Sequence, residues 1–401
     1  MGTTQSTTNF PEENKQQTSE PTTTITGLGT EWPSSLITAE DFRSYILTHY
    51  PASAPWVQTL LKVHSRTEIA TRALLGFENN PKWHNTHPPT AREVDASFRQ
   101  HGIPLATTAA RKALADSNNL PGSAITHMVS VTVTNAGAPG YDQAVARALG
   151  VPVSAERFLL SGVGCAGGLA ALRLASKLAC AATARGEAAR ILVLACEVCS
   201  VFLAAEVFAA AAGSGDGEGE GDAGVGIGPV LFGDGAAALV LCNALGMAGM
   251  GMSGKYAVVD CRTSITPDTH DVMAYGVTEH GFKLALSREV PRLAVGGLQE
   301  GFRALMEANA PFAGAQPDDF DWAVHPGGLA ILRGAQKVLG LEEEALRASY
   351  EVYRTRGNAS SVAVLAVLDL LRGLEMRRRE VVAVSFGPGL TTEMALLKRL
   401  V

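Results

Sequence analysis

Residues 157–179 read RFLLSGVGCAGGLAALRLASKLA, and the change of pattern inside this stretch decides the fold. Residues 157–161 are an apolar, strand-like run that Gly162 and Gly164 interrupt. After Gly168 the spacing becomes helical, with Leu169, Leu172 and Ala179 on one face and Arg173 and Lys177 on another. A strand–turn–helix unit with Cys165 in its turn is therefore expected. A thiol there sits at the positive end of the helix dipole, which favours the thiolate that attacks carbonyls. Most cysteines simply pack in cores. The glycines on both sides of Cys165 argue for something else, because they let a bulky substrate approach the sulfur.

The bulk properties suit a large globular enzyme. The chain has 401 residues, 46% of them hydrophobic and 18% charged, which is enough for a sizeable core in two similar lobes. A net charge of −6 carries no nucleic-acid footprint. The six cysteines lack framework spacing, and Cys196 and Cys199, a C-x2-C pair without further ligands, read as strand-end packing; no metal site is expected. No membrane span is expected either, since the most apolar helix carries Arg173 and Lys177. The polar start MGTTQSTTNF does not resemble a secretory signal, so the cytoplasm is the default compartment.

Residues 1–35 are rich in Thr, Gln, Ser and Glu and read as a disordered tail. From 36 to about 115 the pattern is mainly helical. Strands are expected at 126–134, 190–198 and 228–242, with a solvated acidic Gly-rich loop at 213–228. The second half repeats the alternation: a strand at KYAVVDCRT, an amphipathic helix at 288–309, a strand at FDWAVH, a helix from Ser360, and two strands joined by Gly387-Pro388-Gly389. Alternating strands and helices imply α/β layers, divided into a half over 36–245 that carries Cys165 and a half over 246–401.

Three further segments place a chemically useful residue at a strand end beside glycine. WAVHPGG puts His325 before Pro326, Gly327 and Gly328; RGNASS puts Asn358 after Gly357, where it would also serve as a helix cap; SFGPGLT forms a turn with little side-chain bulk, suited to lining a pocket. Together GCAGG, LFGDGAAALVL, HPGG, GNASS and FGPGLT resemble, in order and approximate spacing, the type III polyketide synthases, the chalcone synthase-like enzymes, over roughly residues 36–401. The resemblance implies the thiolase fold, with two duplicated α/β halves in a five-layered αβαβα core, and a homodimer. It also implies the catalytic residues Cys165, His325 and Asn358 and the gatekeeping phenylalanines Phe232 and Phe282.

The implied substrates are an acyl-CoA starter and malonyl-CoA, with no separate cofactor. A thiolate holds the starter as a thioester, and His325 with Asn358 donates hydrogen bonds to the enolate that loss of carbon dioxide creates. Lys62 and Arg66, four apart on an expected helix, match basic CoA-contacting positions, while a third such position is Thr59. Ala138 and Ala166 stand where plant relatives carry bulkier residues, Phe202 stands where Thr is common, and Ser385 replaces a glycine. These departures resemble the fungal members, the alkylresorcinol, resorcylic acid and acylpyrone synthases. The small Ala138 and Ala166 would open room for a long-chain acyl starter, whereas Phe202 works the other way, which leaves chain length and cyclisation mode open. The alternatives are an initiating ketoacyl-ACP synthase, which would require a carrier protein, and a catalytically dead thiolase-fold scaffold, whose Cys165 would resist labelling.

Overall fold

The computed structural model describes residues 23–75, 88–212, 226–279 and 281–400. Its strands are β1 (Thr23–Glu31), β2 (Leu36–Thr38), β3 (Thr71–Ala73), β4 (His127–Val131), β5 (Glu156–Leu160), β6 (Arg190–Glu197), β7 (Gly235–Cys242), β8 (Tyr256–Ile265), β9 (Met273–Thr278), β10 (Gly281–Leu286), β11 (Asp321–Val324), β12 (Glu380–Gly387) and β13 (Thr391–Arg399). Nine of these form one mixed sheet in the order β11-β12-β13-β8-β1-β7-β6-β4-β5. Its two halves meet at a short seam, where Thr23–Ile25 of β1 pair with Tyr256–Val258 of β8.

The helices Gly167–Ala184 and Ala363–Leu371 fill the middle layer. Leu169, Leu172 and Ala175 of the first and Val364, Leu365 and Leu368 of the second share one core with Val129, Ile191 and Val193 on one side and Val381, Ala383 and Leu397 on the other. Outside one half-sheet, the helices Ile103–Asp116 and Tyr141–Leu149 bury Ala109, Ala113 and Val145 against Met128, Leu192 and Val240. Outside the other, Leu298–Glu307 and Leu329–Leu339 bury Phe302, Leu305 and Leu332 against Trp322, Val382 and Leu396. Five layers result, α-β-α-β-α. Successive residues of β12 face different cores, Val381 and Ala383 inward and Val382 and Val384 outward, which explains why such strands read as unbroken apolar runs.

Three expectations change. Residues 23–31 are not part of a tail: they form β1, hydrogen-bonded to both β7 and β8 in the middle of the sheet. The sequence TTITGLGTE hides this because the helix Ile103–Asp116 lies directly on the strand. A Cβ at Gly27 would fall 2.2 Å from the Ala113 carbonyl oxygen, and one at Gly29 2.5 Å from Lys112 Cβ. A strand covered that closely must be made of small residues, and small polar residues also signal disorder. Residues 1–22, and the acidic loop up to 225, lie outside the described residues.

Second, the helix expected over 288–309 is two, Val290–Gly296 and Leu298–Glu307, broken at Gly297; third, residues 228–231 form a short helical turn ahead of β7 and not the start of its strand. Gly164–Ala184 is long and apolar enough by length and composition to cross a membrane, and most of it is buried as the core helix just described.

On the helix Ser200–Ala211, both carboxylate oxygens of Glu206 are shut off from solvent and meet no hydrogen-bond partner among the described residues. Burial pushes this group from 4.5 up to about 8, while the charge of Lys283 pulls the other way. The folded chain therefore keeps a proton that the unfolded chain releases, so stability is lost as pH rises from 4.5 through about 8. Glu206→Gln removes this contribution. Thermal unfolding across that range should show a flatter decline and a higher midpoint at the alkaline end than in the wild type; an equally steep decline would contradict the assignment.

Candidate active site

Cys165 lies in a tight turn, Gly164–Ala166, between β5 and the helix Gly167–Ala184. Gly164 has φ +50°, and a Cβ there would fall 2.3 Å from Pro388 Cδ. A Cβ on Gly387 would fall 2.5 Å from the Val163 carbonyl oxygen and 2.7 Å from Ala166 Cβ. The Gly-Pro-Gly turn after β12 thus sits directly on the cysteine turn, at a separation only glycine allows. From the other side comes the start of the second central helix: a Cβ on Gly168 would lie 2.4 Å from the Ser361 carbonyl oxygen.

That abutment brings Asn358 and Ser360 to the sulfur. Cys165 Sγ is 3.5 Å from Ser360 Oγ, and Asn358 Nδ2, which donates to Gly327 O at 3.4 Å, is near enough to favour the thiolate. Asn358 Oδ1 accepts from the Ser360 N–H at 2.8 Å in a local turn, while the N-cap positions fall on Ala359 and Val362, so Asn358 is not the helix cap that its sequence setting suggested. Its backbone pairs with the Phe232 segment: the Asn358 N–H donates to Leu231 O at 3.0 Å, and the Gly233 N–H donates to Asn358 O at 2.9 Å. His325 follows β11, its N–H bonded to Val384 O at 2.8 Å. Both its ring nitrogens are buried and meet no hydrogen-bond partner among the described residues.

Burial dominates the electrostatics. It pushes the Cys165 thiol up to about 11, against the opposing pull of Ser360 and Asn358, and it pushes His325 down to about 3. The helix start therefore does not by itself yield a thiolate, contrary to expectation. Neither group carries charge alone in so apolar a site, and a proton passed from sulfur to imidazole creates two charges that stabilise one another.

Beneath the cysteine lies Glu197, fully buried at the end of β6. It accepts from the Val133 N–H at 3.1 Å, from Thr134 Oγ1 at 2.9 Å and from the Ser361 hydroxyl, and burial pushes it up to about 7. Its sequence signal is a lone carboxylate closing the apolar run RILVLAC, which the motifs above do not include. Ser360, Tyr275 and Arg288 were likewise missed, together with the β9–β10 hairpin, whose short alternating strands are weakly marked.

A cavity of about 430 Å³ opens on the sulfur, lined by Cys165, His325, Asn358, Phe232, Pro388 and a mostly apolar wall that includes Met273, Tyr275, Leu284, Leu286 and Ile331. Arg66 and Arg288 line it too, both exposed. The other candidate positions are less direct. Lys62 is exposed and outside the lining, and because the helix Pro55–His64 ends before Arg66, the two basic residues do not share a helix face. Phe202 stands behind the lining, edge-on to Phe232 at 6.1 Å and to Tyr275 at 5.8 Å. Ala138 is exposed and outside the lining, Ala166 is buried beside Gly387, and neither Gly387 nor Gly389 lines the cavity. Phe282 pairs through its backbone with Val277, but its side chain lies outside the described residues.

The layered architecture and the paired half-sheets are those of the thiolase fold. Residues 11–244 match the N-terminal domain, and residues 257–401 the C-terminal domain, of the chalcone and stilbene synthases. The chain is 39% identical to a type III polyketide synthase of Penicillium soppii, pspB, over 94% of this chain and 96% of that protein. It is 32% identical to the acylalkylpyrone synthase csyB of Aspergillus oryzae, with 94% of each chain covered. Among solved structures it resembles the fungal type III polyketide synthase ORAS, with a TM-score of 0.87 and 37% identity over 94% of this chain and 100% of that one. The chain belongs to the chalcone and stilbene synthase family, the type III polyketide synthases. It is an acyltransferase that joins acyl units by decarboxylating condensation.

Proposed function

We propose that the enzyme, a cytosolic homodimer, loads a long-chain fatty acyl starter from CoA onto Cys165. It then extends the chain with malonyl-CoA and releases a cyclised pyrone or resorcinol-type product. The observation that carries this reading is an apolar cavity with Cys165, His325 and Asn358 in one wall. One similar protein points the same way: csyB is named an acylalkylpyrone synthase, and its structure has been solved in complex with CoA.

In loading, His325 takes the thiol proton as Sγ attacks the thioester carbon, and returns it to the departing CoA sulfur. Malonyl-CoA then loses carbon dioxide, and the enolate oxygen accepts hydrogen bonds from Asn358 Nδ2 and a ring N–H of His325. The enolate carbon attacks the acyl thioester, and Cys165 leaves as thiolate. An amide at position 358 suits this step, because a carboxylate would repel the developing charge. The apolar wall around Phe232 favours departure of neutral carbon dioxide. Arg66 and Arg288 are placed to meet the CoA phosphates.

Two outcomes are expected. With His325→Ala, the thiol loses its proton acceptor. Alkylation by iodoacetamide near neutral pH should then slow by about tenfold or more, and its pH profile should move to higher pH. An unchanged profile would remove His325 as the proton acceptor.

The second concerns the starter. Each buried methylene contributes about 0.8 kcal/mol, so incubation with malonyl-CoA and a graded acyl-CoA series should favour long chains over 4-coumaroyl-CoA. Phe202→Ala opens space behind Phe232 and Tyr275 and should shift the optimum to longer starters, read by mass analysis of products. A wild type that prefers 4-coumaroyl-CoA contradicts the assignment, as does an unmoved optimum in the variant.

A further inference from the structure

Arg72 on β3 is 3% exposed and does not line the cavity, yet its side chain reaches both sides of the Phe232–Asn358 bridge, bonding Phe232 on one and lying against Gly357, the residue before Asn358, on the other. Its Nη1 donates to Pro229 O at 2.7 Å and to Phe232 O at 3.0 Å. Its stem lies flat on the backbone before Asn358, where a Cβ on Gly357 would fall 3.1 Å from Arg72 Cγ and 3.2 Å from Cδ. The guanidinium sits over the Phe42 ring at 4.9 Å. Burial lowers it to about 10, with the charge of Asp234 pulling the other way.

The neighbouring backbone completes the clamp. The Asp234 N–H donates to Ala73 O at 2.8 Å, and the Leu75 N–H donates to Asp234 Oδ2 at 2.7 Å. Residues 229–234 and Gly357–Asn358 are therefore referenced to one strand, β3, and to one side chain. No hydrogen bond of Arg72 reaches the cysteine turn Gly164–Ala166, which is held by Pro388 and the second central helix.

We propose that Arg72 is a positioning residue for malonyl-CoA decarboxylation: it fixes Phe232 and Asn358 relative to one another, an inference that rests on the roles proposed for those two residues. A planar guanidinium over Phe42, with its stem on Gly357, holds both carbonyls in a set geometry; a lysine ammonium is a mobile point donor. Small displacements of groups that stabilise charge are costly even when their cause lies away from the chemistry.

The test uses the full-length enzyme with Arg72→Met, which keeps the stem and removes the donors, and Arg72→Lys, which keeps the stem and the charge opposite Asp234. Acetyl-CoA released from malonyl-CoA is measured per Cys165 that starter acyl-CoA can acylate, counted by intact mass, so that unfolded protein drops out of the ratio. Decarboxylation per acylatable Cys165 should fall by about tenfold to a hundredfold in Arg72→Met, and by less in Arg72→Lys. The rate of acylation should stay within about threefold of the wild type, because the cysteine turn is independent of Arg72. If Arg72→Met does not fold, the reduced ratio in Arg72→Lys decides.

A wild-type ratio in the folded variants overturns the proposal. So does a loss of acylation in proportion to decarboxylation, which would mark Arg72 as a general packing residue. Asn358→Ala run in parallel separates the two levels. Normal decarboxylation in that variant removes the role of Asn358, and the inference falls with it. A lost activity there beside intact Arg72 variants removes only Arg72.

Discussion

The site depends on one steric contact, the meeting of two helix starts in the middle of the molecule. Gly168, at the head of one central helix, leaves no room for even a methyl group against the Ser361 carbonyl, at the head of the other. Cys165 precedes the first helix by one turn, and Asn358 and Ser360 precede the second, so the abutment carries the sulfur and its hydrogen-bonding neighbours to one point. The Gly387-Pro388 turn presses on the same cysteine from the end of β12. Residues from two halves of the chain thus converge because their supporting elements pack without spacers, on the rigid frame of two half-sheets that share one inner core.

That placement has an electrostatic consequence. The thiol, the imidazole and the Glu197 carboxyl are all buried deeply enough for burial to be the largest influence on each. Each is pushed toward its neutral form, so the resting pocket is close to uncharged. Charge is created in pairs or briefly, as thiolate with imidazolium or as an enolate on malonyl-CoA. Fixed donors count for more there than in water. The Thr132–Thr134 segment and Ser361 satisfy Glu197, which ties the floor of the site to the same second helix.

Much of this was legible in the sequence, and the failures have physical causes. The turn at Cys165, the strand before His325 and the glycine before Asn358 are local signals, and all three residues line one cavity. The type III polyketide synthase family was equally visible, because its motifs are the turns that the packing cannot alter. β1 was missed because a central strand under a tightly packed helix is built of Thr and Gly, the composition of a tail. Ala138 and Lys62 lie on the surface of the single chain, outside the lining of its own cavity. The neutral state of Cys165 could not be foreseen either, since helix position is local and burial is global.

The contact between the helix starts can be tested by adding a single methyl group. Gly168→Ala would place a Cβ 2.4 Å from a backbone oxygen that cannot rotate away, whereas Gly296→Ala adds the same methyl where nothing lies within 4 Å. The direct measurement is the rate of polyketide formation by the two folded variants, side by side with the wild type. Gly168→Ala should lose about 10²-fold or more while Gly296→Ala stays near the wild-type rate. A folded Gly168→Ala enzyme that makes product at the wild-type rate would show that the site does not depend on how closely the two helices meet.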